Sequence, residues 1–249
     1  MTNQTSHRAG QALRRAAPRN LVLASLPADA RRRLLAGAEL RDLPQGSVLS
    51  REGDLISHVL FPLSAVLVGT RSTARGQVIG HGMRGRETLV YGLTAIRTDL
   101  RTSRWIVEIP GRIIAVPLAD FRAVLDTSMA LVQAVLTCAS ALLQDAEATV
   151  VCSRHHALTG RVAFVLLLLD AYTAGGGISL THERIAAVVG TSRQATSADL
   201  GQLQKAGLIR QDRGAVALRE REALAARACV CQERVTRLTA SYAAGRLVW

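Results

Sequence analysis

The sequence predicts an α+β protein with an amino-terminal set of short strands, one long apolar helix and a carboxyl-terminal module of shorter helices. Three observations predict this fold class. Short apolar stretches alternate with turn signals from Leu43 to Pro117, the hydrophobic period becomes three to four residues after Leu118, and the glycine run at 175–177 precedes a new helical pattern. We therefore expect a basic, disordered leader at 1–20, a β domain at 21–126, a long helix at 127–156 and a second domain at 157–249.

The composition is that of a globular protein. Hydrophobic residues make up 49% of the 249 positions and charged residues 20%, which excludes a disordered chain, and four cysteines exclude a disulfide scaffold. The most apolar run, Val162 to Leu169, is much shorter than the roughly 20 residues that cross a bilayer, and the first 20 residues hold no apolar core. We expect a cytoplasmic protein without a membrane anchor.

The charge favours a polyanionic partner. Lys and Arg number 31 against 19 acidic residues, giving a net charge of +12, and Lys205 is the only lysine. Guanidinium groups suit phosphate and guanine recognition. Residues 1–20 carry +4 and residues 178–249 carry +5, so the carboxyl-terminal end is the expected contact surface. Aromatic residues make up only 3%, which argues against stacking on single-stranded bases and leaves duplex DNA or an acidic protein surface.

The first domain is predicted to be a β-sandwich or roll. Turn signals at 44–46, 52–54, 75–76 and 110–111 separate short apolar stretches. The predicted strands are Ser47–Leu49, His58–Leu60, Ala65–Thr70, Gln77–His81, Ser103–Ile109 and Arg112–Pro117. Many short strands at this spacing are typical of an all-β layer structure.

A long helix follows, from about Ser128 to Cys152. It is nearly uncharged apart from Asp145 and Glu147, so it must bury more than one face. A second copy of the chain or an internal core would satisfy that requirement, and we favour the second copy because a small β-roll covers only one side. The predicted dimer contacts are Val132, Val135, Ala139, Leu142 and Ala146.

The most specific motif spans residues 180–200 and predicts two short helices joined by a turn. Thr181 and Ser192 are expected N-caps, and Gly190 supplies the turn. Arg193, Gln194 and Ser197 lie near the start of the second helix, on the face opposite its apolar residues. Such a helix enters the major groove of DNA, where Arg pairs with guanine and Gln with adenine. By itself the motif is equally compatible with two ordinary packed helices.

A short hairpin after this motif favours DNA. Residues 208–210 and 215–218 form two apolar stretches around an Arg-Gly turn, in which Arg213 could reach a phosphate. The candidate DNA-binding residues are Thr181, Ser192, Arg193, Gln194, Ser197 and Arg213.

These motifs carry a resemblance to a known family. The chain resembles the Crp/Fnr regulators (cyclic AMP receptor protein and fumarate/nitrate regulator), a family of bacterial transcription factors, along nearly its whole length. The matching segments are Leu180-Thr181-x-Glu183, Val189-Gly190-Thr191-Ser192-Arg193-Gln194, Leu203-x-Lys205-Ala206-Gly207-Leu208-Ile209 and, more weakly, Pro44-x-Gly46, Glu52-Gly53-Asp54 and 152–156 with Arg161. The resemblance implies a cyclic-nucleotide-binding-type β-roll, a dimerisation helix and a winged helix-turn-helix. It also implies a homodimer on a two-fold symmetric DNA operator, RNA polymerase as a further candidate partner, and no enzymatic activity.

Two departures from the family pattern limit what the resemblance implies. Gln194 and Ala198 stand where many members have Glu and a second Arg, so the operator should differ from the best-known half-site. In nucleotide-binding members, a Gly-Glu pair and a later Arg-Ser/Thr-Ala hold the ribose and cyclic phosphate, and Thr102 replaces that arginine. We therefore predict no cofactor, and cyclic AMP fits poorly unless Arg101 or Arg104 takes the place of that arginine; another nucleotide remains a candidate effector. The candidate effector-binding residues are Arg86, Glu87, Arg101, Thr102, Ser103 and Arg104.

The cysteines predict neither a metal nor a catalytic site. Cys229 and Cys231 lie far along the chain from Cys138 and Cys152, so we expect no zinc site and assign the pair to the apolar side of a last helix. Cys152 with His155 and His156 could form a thiol and base, but a buried structural cysteine is the favoured interpretation. The alternative function is a nucleotide-binding signalling module that regulates a protein partner.

Overall fold

The computed structural model describes residues 10–72, 74, 78–96, 98, 100–101, 103–173, 177–229 and 231. It confirms the α+β class. The described residues form two compact units: unit 1 contains those of 1–67 and 84–142, and unit 2 contains those of 68–83 and 143–237.

Two β-sheets are formed by the seven strands before the long helix. The strands are β1 (Glu39–Leu43), β2 (Val48–Ser50), β3 (His58–Pro62), β4 (Val66–Ser72), β5 (Val78–Arg84), β6 (Arg104–Ile109) and β7 (Gly111–Pro117). Their orders are β1-β7-β3 and β2-β6-β4-β5. The six predicted strands are present with shifted ends, and β1 was not predicted because its charged residues Glu39, Arg41 and Asp42 hide its pattern.

The sequence of strand β7 is almost continuously apolar because both faces of the strand are covered. Ile114 and Val116 pack with Phe121 on one side of the sheet, whereas Ile113 and Ala115 pack with Trp105 on the other. Successive residues of a strand point to opposite faces, so a strand covered on both sides needs apolar residues at every position. Helices therefore cover one face of this sheet and the second sheet covers the other.

The leader prediction is wrong for residues 10–20. Residues 10–16 form a helix, here α1, which continues as a 3-10 turn at Ala17–Arg19. Leu13, Ala16, Ala17 and Asn20 are buried in the unit 1 core. The leader looked disordered because α1 is short and arginine-rich, and only Leu13 and Ala16 in it are buried. Residues 1–9 lie outside the described part of the chain.

Three short helices and one long helix complete unit 1 and lead out of it. They are α2 (Leu21–Ser25), α3 (Ala28–Leu34), α4 (Leu118–Leu125) and α5 (Met129–His155). The 27 residues of α5 confirm the long helix, with ends within three residues of those predicted. By length and composition α5 could also cross a membrane.

Unit 2 contains the carboxyl-terminal helices and hairpin. These are α6 (Leu158–Tyr172), α7 (His182–Val189), α8 (Arg193–Lys205), β8 (Ile209–Asp212), β9 (Ala215–Leu218) and α9 (Arg221–Arg227). Its core includes Leu166, Leu169, Ile185, Leu200 and Leu203, each fully buried. Ile178 forms an isolated antiparallel bridge with Val216, which adds a third strand segment beside the hairpin.

Candidate nucleic-acid interface

The turn between α7 and α8 is built from the predicted capping residues. The Thr181 hydroxyl accepts a hydrogen bond from Arg184 N at 3.4 Å, and the Ser192 hydroxyl accepts one from Ala195 N at 3.2 Å. Gly190 ends α7 with φ of +76°, a left-handed conformation that glycine adopts without strain. Thr181 and Ser192 therefore define where the two helices begin, and Gly190 sets the turn between them.

Helix α8 separates a buried face from an exposed one. Thr196, Asp199, Leu200 and Leu203 are buried. Gln194, Ala198, Gln202 and Lys205 are exposed on the outer side, and Arg193 is exposed at the first position of the helix. Both predicted base-reading side chains, Arg193 and Gln194, thus point away from the core.

Two positions on the outer side of α8 carry little or no side chain. Ala198 carries only a methyl group, and a Cβ placed on Gly201 would meet no atom within 4 Å. Because nothing in its surroundings requires a glycine, and glycine in a helix interior costs about 0.5–1 kcal/mol, Gly201 is better explained by an approaching partner than by the fold. Small residues at these two positions let the helix backbone come close to a partner.

Ser197 is placed differently from the other predicted contacts. It is half-buried, and its hydroxyl lies 2.9 Å from His182 Nδ1 on α7. This bond joins the first turn of α7 to the second turn of α8. Ser197 therefore braces the two helices at the edge of the exposed face.

Two contacts from α6 fix the motif, and sequence reasoning assigned no role to them. Arg161 donates from its guanidinium to the Val189 carbonyl at 2.6 Å, at the end of α7. The Thr159 hydroxyl donates to Asp199 Oδ1 of α8 at 2.6 Å. The Arg161 cation stabilises the carboxyl end of α7, and the Thr159 hydroxyl satisfies the buried Asp199 carboxylate. Both contacts hold the motif against α6. Arg161 belongs to the family-like stretch quoted above, which was the only signal for it.

The predicted wing is present as the antiparallel hairpin of β8 and β9. Arg213 lies at its tip and is exposed, next to Gly214 with φ of +73°. Gln211 ties the wing to α8, because its Nε2 donates to the Leu200 carbonyl at 3.1 Å and its N–H donates to Gln204 Oε1 at 2.9 Å. The wing and α8 are therefore rigidly connected.

Helix α5 presents an exposed apolar row in addition to its buried face. Met129, Leu136, Leu143 and Val150 are between 55% and 69% exposed and recur every seven residues. Val132, Ala139 and Ala146 lie between them, which completes the alternating three- and four-residue spacing of a coiled-coil seam. Three of the five predicted dimer contacts belong to this row. Val135 and Leu142 do not, because Val135 is 1% exposed in the unit 1 core and Leu142 packs against that core.

Several of the candidate effector residues of unit 1 are buried or make contacts within the protein. Glu87 is buried and accepts a hydrogen bond from Gly85 N at 2.9 Å within its own turn. Arg101 donates to the Leu49 carbonyl at 2.7 Å and lies 5.0 Å from the centroid of the Tyr91 ring. Ser103 is buried, Arg86 and Arg104 are exposed, and Thr102 lies outside the described residues. Tyr91 and Trp105 fill the interior of the roll beside them.

The sequence argument that Cys152 lies far from Cys229 and Cys231 is wrong. Cys152 Sγ lies 3.6 Å from Cys229 Sγ, although 77 residues separate them in sequence. Cys229 follows the end of α9 and lies outside a helix, and Cys231 lies in a 3-10 turn beyond it. The fold therefore gathers three of the four cysteines in one place.

Comparison with known proteins identifies the type of domain in the carboxyl-terminal region. Residues 160–227 match the model of the Crp-like helix-turn-helix domain, the segment that contains α7, α8 and the wing. The carboxyl-terminal region is a Crp-like helix-turn-helix domain. This match confirms the resemblance to Crp/Fnr transcription regulators, and we call residues 160–227 the Crp-like domain. No curated protein matches the chain significantly.

Solved structures with this fold include three bacterial regulators. The c-di-GMP-responsive global regulator CLP of Xanthomonas campestris is 19% identical over 77% of this chain and 99% of its own, with a TM-score of 0.63. FixK2 of Bradyrhizobium japonicum is 14% identical over 78% and 98%, with a TM-score of 0.66. A CRP/FNR-family regulator of Thermus thermophilus is 18% identical over 76% and 98%, with a TM-score of 0.64. The described fold thus extends over most of the chain in each comparison.

Proposed function

We propose that the protein is a homodimeric transcription regulator that reads a two-fold symmetric DNA operator with α8 of each protomer. The carrying observation is the exposed face of α8, on which Arg193 and Gln194 project from a capped helix inside the Crp-like domain. Arg193 is assigned to guanine and Gln194 to adenine in the major groove, with Arg213 of the wing on phosphate.

The exposed row on α5 supports the homodimer. Seven apolar positions at heptad spacing form a narrow stripe, which suits a second helix of the same kind. A lipid-facing helix would instead be apolar all around, and Asp145, Glu147 and Arg154 interrupt α5 outside this row. Two parallel copies of α5 would bring two Crp-like domains onto neighbouring half-sites about one helical turn apart.

The signal received by unit 1 is proposed to differ from cyclic AMP. Glu87 is hydrogen-bonded within its own turn, and Arg101 is held by the Leu49 carbonyl and the Tyr91 ring, so neither is preorganised for a cyclic phosphate. RNA polymerase is the proposed partner on promoters that the protein activates, and the cytoplasm is the proposed location.

Three arginine variants test the assigned roles. Preferred duplexes are first recovered from a random pool, and affinities are then measured for these and for a scrambled duplex. Arg193→Ala should weaken specific binding by about 1–3 kcal/mol and relax preference at one base pair, whereas Arg213→Ala should weaken both duplexes alike. Arg51→Ala, which removes an exposed charge from unit 1, is the matched control and should change neither. Equal losses on both duplexes for Arg193→Ala would contradict base reading by α8.

A further inference from the structure

Four potential metal ligands converge at the end of α5. Cys152 lies in its last turn, His156 follows its end, and Cys229 and Cys231 follow α9. Their ligand atoms all lie within 4.8 Å of one another, the three cysteines are buried and His156 is half-buried. These residues flank the Crp-like domain in the sequence. The folding of that domain brings them together, although 73 positions separate His156 from Cys229.

The spacing of the ligand atoms fits a single ion. Cys152 Sγ and Cys229 Sγ are 3.6 Å apart, and Cys231 Sγ and His156 Nδ1 are also 3.6 Å apart. Tetrahedral zinc with Zn–S of about 2.3 Å and Zn–N of about 2.0–2.1 Å separates two sulfurs by about 3.8 Å and a sulfur from a nitrogen by about 3.5 Å. A multi-iron cluster would hold its thiolates further apart. A disulfide between Cys152 and Cys229 would leave Cys231 and His156 without a role.

We propose that Cys152, His156, Cys229 and Cys231 form a structural Cys3His zinc site that fastens the segment after α9 to the end of α5. Three thiolates and one imidazole are a usual ligand set for structural zinc, and four protein ligands close the coordination sphere. The backbone prepares the site, because Cys229 N donates to the Gly160 carbonyl at 3.1 Å at the start of α6. Gly160 lies close to this segment: a Cβ at that position would come within 3.4 Å of Cys229 N.

The Cys152 thiol is not activated for nucleophilic chemistry. Burial and the neighbouring thiols of Cys229 and Cys231 raise the pKa of Cys152 to about 12. This is the opposite of an activated nucleophile, which needs a lowered pKa. A divalent ion would replace the thiol protons, as metal binding to cysteine generally does.

The first test is metal content and uptake by the full-length protein. Protein purified in reductant without chelator should contain about one zinc per chain by elemental mass spectrometry. After zinc is removed, titration with Co²⁺ alone should give intense tetrahedral d–d bands and thiolate charge-transfer bands that saturate near one equivalent. Protein that takes up no Co²⁺, or that shows a Cys152–Cys229 disulfide when prepared anaerobically, would overturn the proposal.

Matched variants locate the site. Cys231→Ser and His156→Gln should each weaken Co²⁺ binding at least about tenfold and alter the charge-transfer bands. His155→Gln, an exposed neighbour, and Cys138→Ser, the cysteine outside the cluster, should leave both unchanged. Co²⁺ spectra and affinities that are the same in His156→Gln and Cys231→Ser as in the unaltered chain would also overturn the assignment. The wild-type titration needs no variant, so the result does not depend on the folding of the cysteine variants.

Discussion

Asn20 shows how one residue can join separate parts of a fold. It is fully buried, its Nδ2 donates to the carbonyls of Pro62 and Thr88 at 2.9 Å each, and its Oδ1 accepts from Leu23 N at 3.1 Å. One side chain thus caps α2 and connects it to the end of β3 and to the turn before Leu89. Backbone groups that are buried in this way need a partner.

Asn20→Ala should lower the free energy of unfolding by about 2–4 kcal/mol, because it removes a cap and leaves two buried carbonyls without their donor. Urea unfolding followed by circular dichroism measures the change. Ser47→Ala removes the solvent-exposed bond to the Pro44 carbonyl and should cost less than about 1 kcal/mol. Equal losses in the two variants would show that Asn20 is not a tether.

His58 should make stability depend on pH. Burial, followed by the charge of Arg41, lowers the pKa of His58 below its ordinary value, and Arg41 Nη2 lies 3.1 Å from its Nε2. The unfolded chain therefore binds the proton more readily than the folded one. The contribution of His58 to stability is fully present above its unfolded pKa of about 6.5. It is lost as the pH falls from there through the folded pKa.

The check compares unfolding free energies at pH 7.5 and pH 5.5. His58→Gln should reduce the loss between these values, whereas His155→Gln, exposed on α5, should retain it. An identical loss in the unaltered chain and in His58→Gln would assign the pH dependence to other groups.

At the scale of elements, α5 serves two surfaces with one sequence. Its inner face, including Leu131, Val135 and Cys138, is buried against unit 1, while the row from Met129 to Val150 is exposed. A pattern of apolar residues at three- and four-residue spacing occurs on both faces. Periodicity alone therefore could not decide which of Val132 and Val135 faces outward.

Leu143→Asp should convert the dimer into a monomer, because it places a charge in the centre of the proposed seam and weakens association on the order of 100-fold. Sedimentation velocity at micromolar concentration measures the change. Val151→Asp introduces the same charge at a similarly exposed apolar residue outside the seam, and this variant should remain dimeric. A Leu143→Asp variant that still dimerises would place the interface elsewhere.

The elements that sequence reasoning found have strong local signals. The caps Thr181 and Ser192, the turn glycine Gly190 and the wing are specified by neighbours in sequence, and all are present. Helix α1 was missed because only two of its residues, Leu13 and Ala16, are buried, too few to give an apolar pattern. The cysteine cluster was missed for another reason: the contact between Cys152 and Cys229 depends on how α6 and α9 pack, which no local pattern encodes.

At the scale of the whole molecule, the excess of 12 positive charges should be visible in DNA binding. A dimer that contacts 6–10 phosphates is expected to lose roughly 10³–10⁵ in affinity between 50 and 200 mM salt, because counterions are released. Fluorescence anisotropy of a labelled duplex over this range measures the slope. A flat dependence would favour a protein surface as the partner instead of DNA.

The arginine-rich composition leaves one side-chain amine in the entire sequence, that of Lys205, exposed at the final turn of α8. Once the terminal amine, which has the lower pKa, has been blocked near neutral pH, an amine-reactive fluorophore applied at higher pH can be attached to Lys205 beside the reading face without any mutation. Quenching or depolarisation of that dye would follow operator capture in real time, so the wild-type chain carries its own attachment point for a spectroscopic reporter.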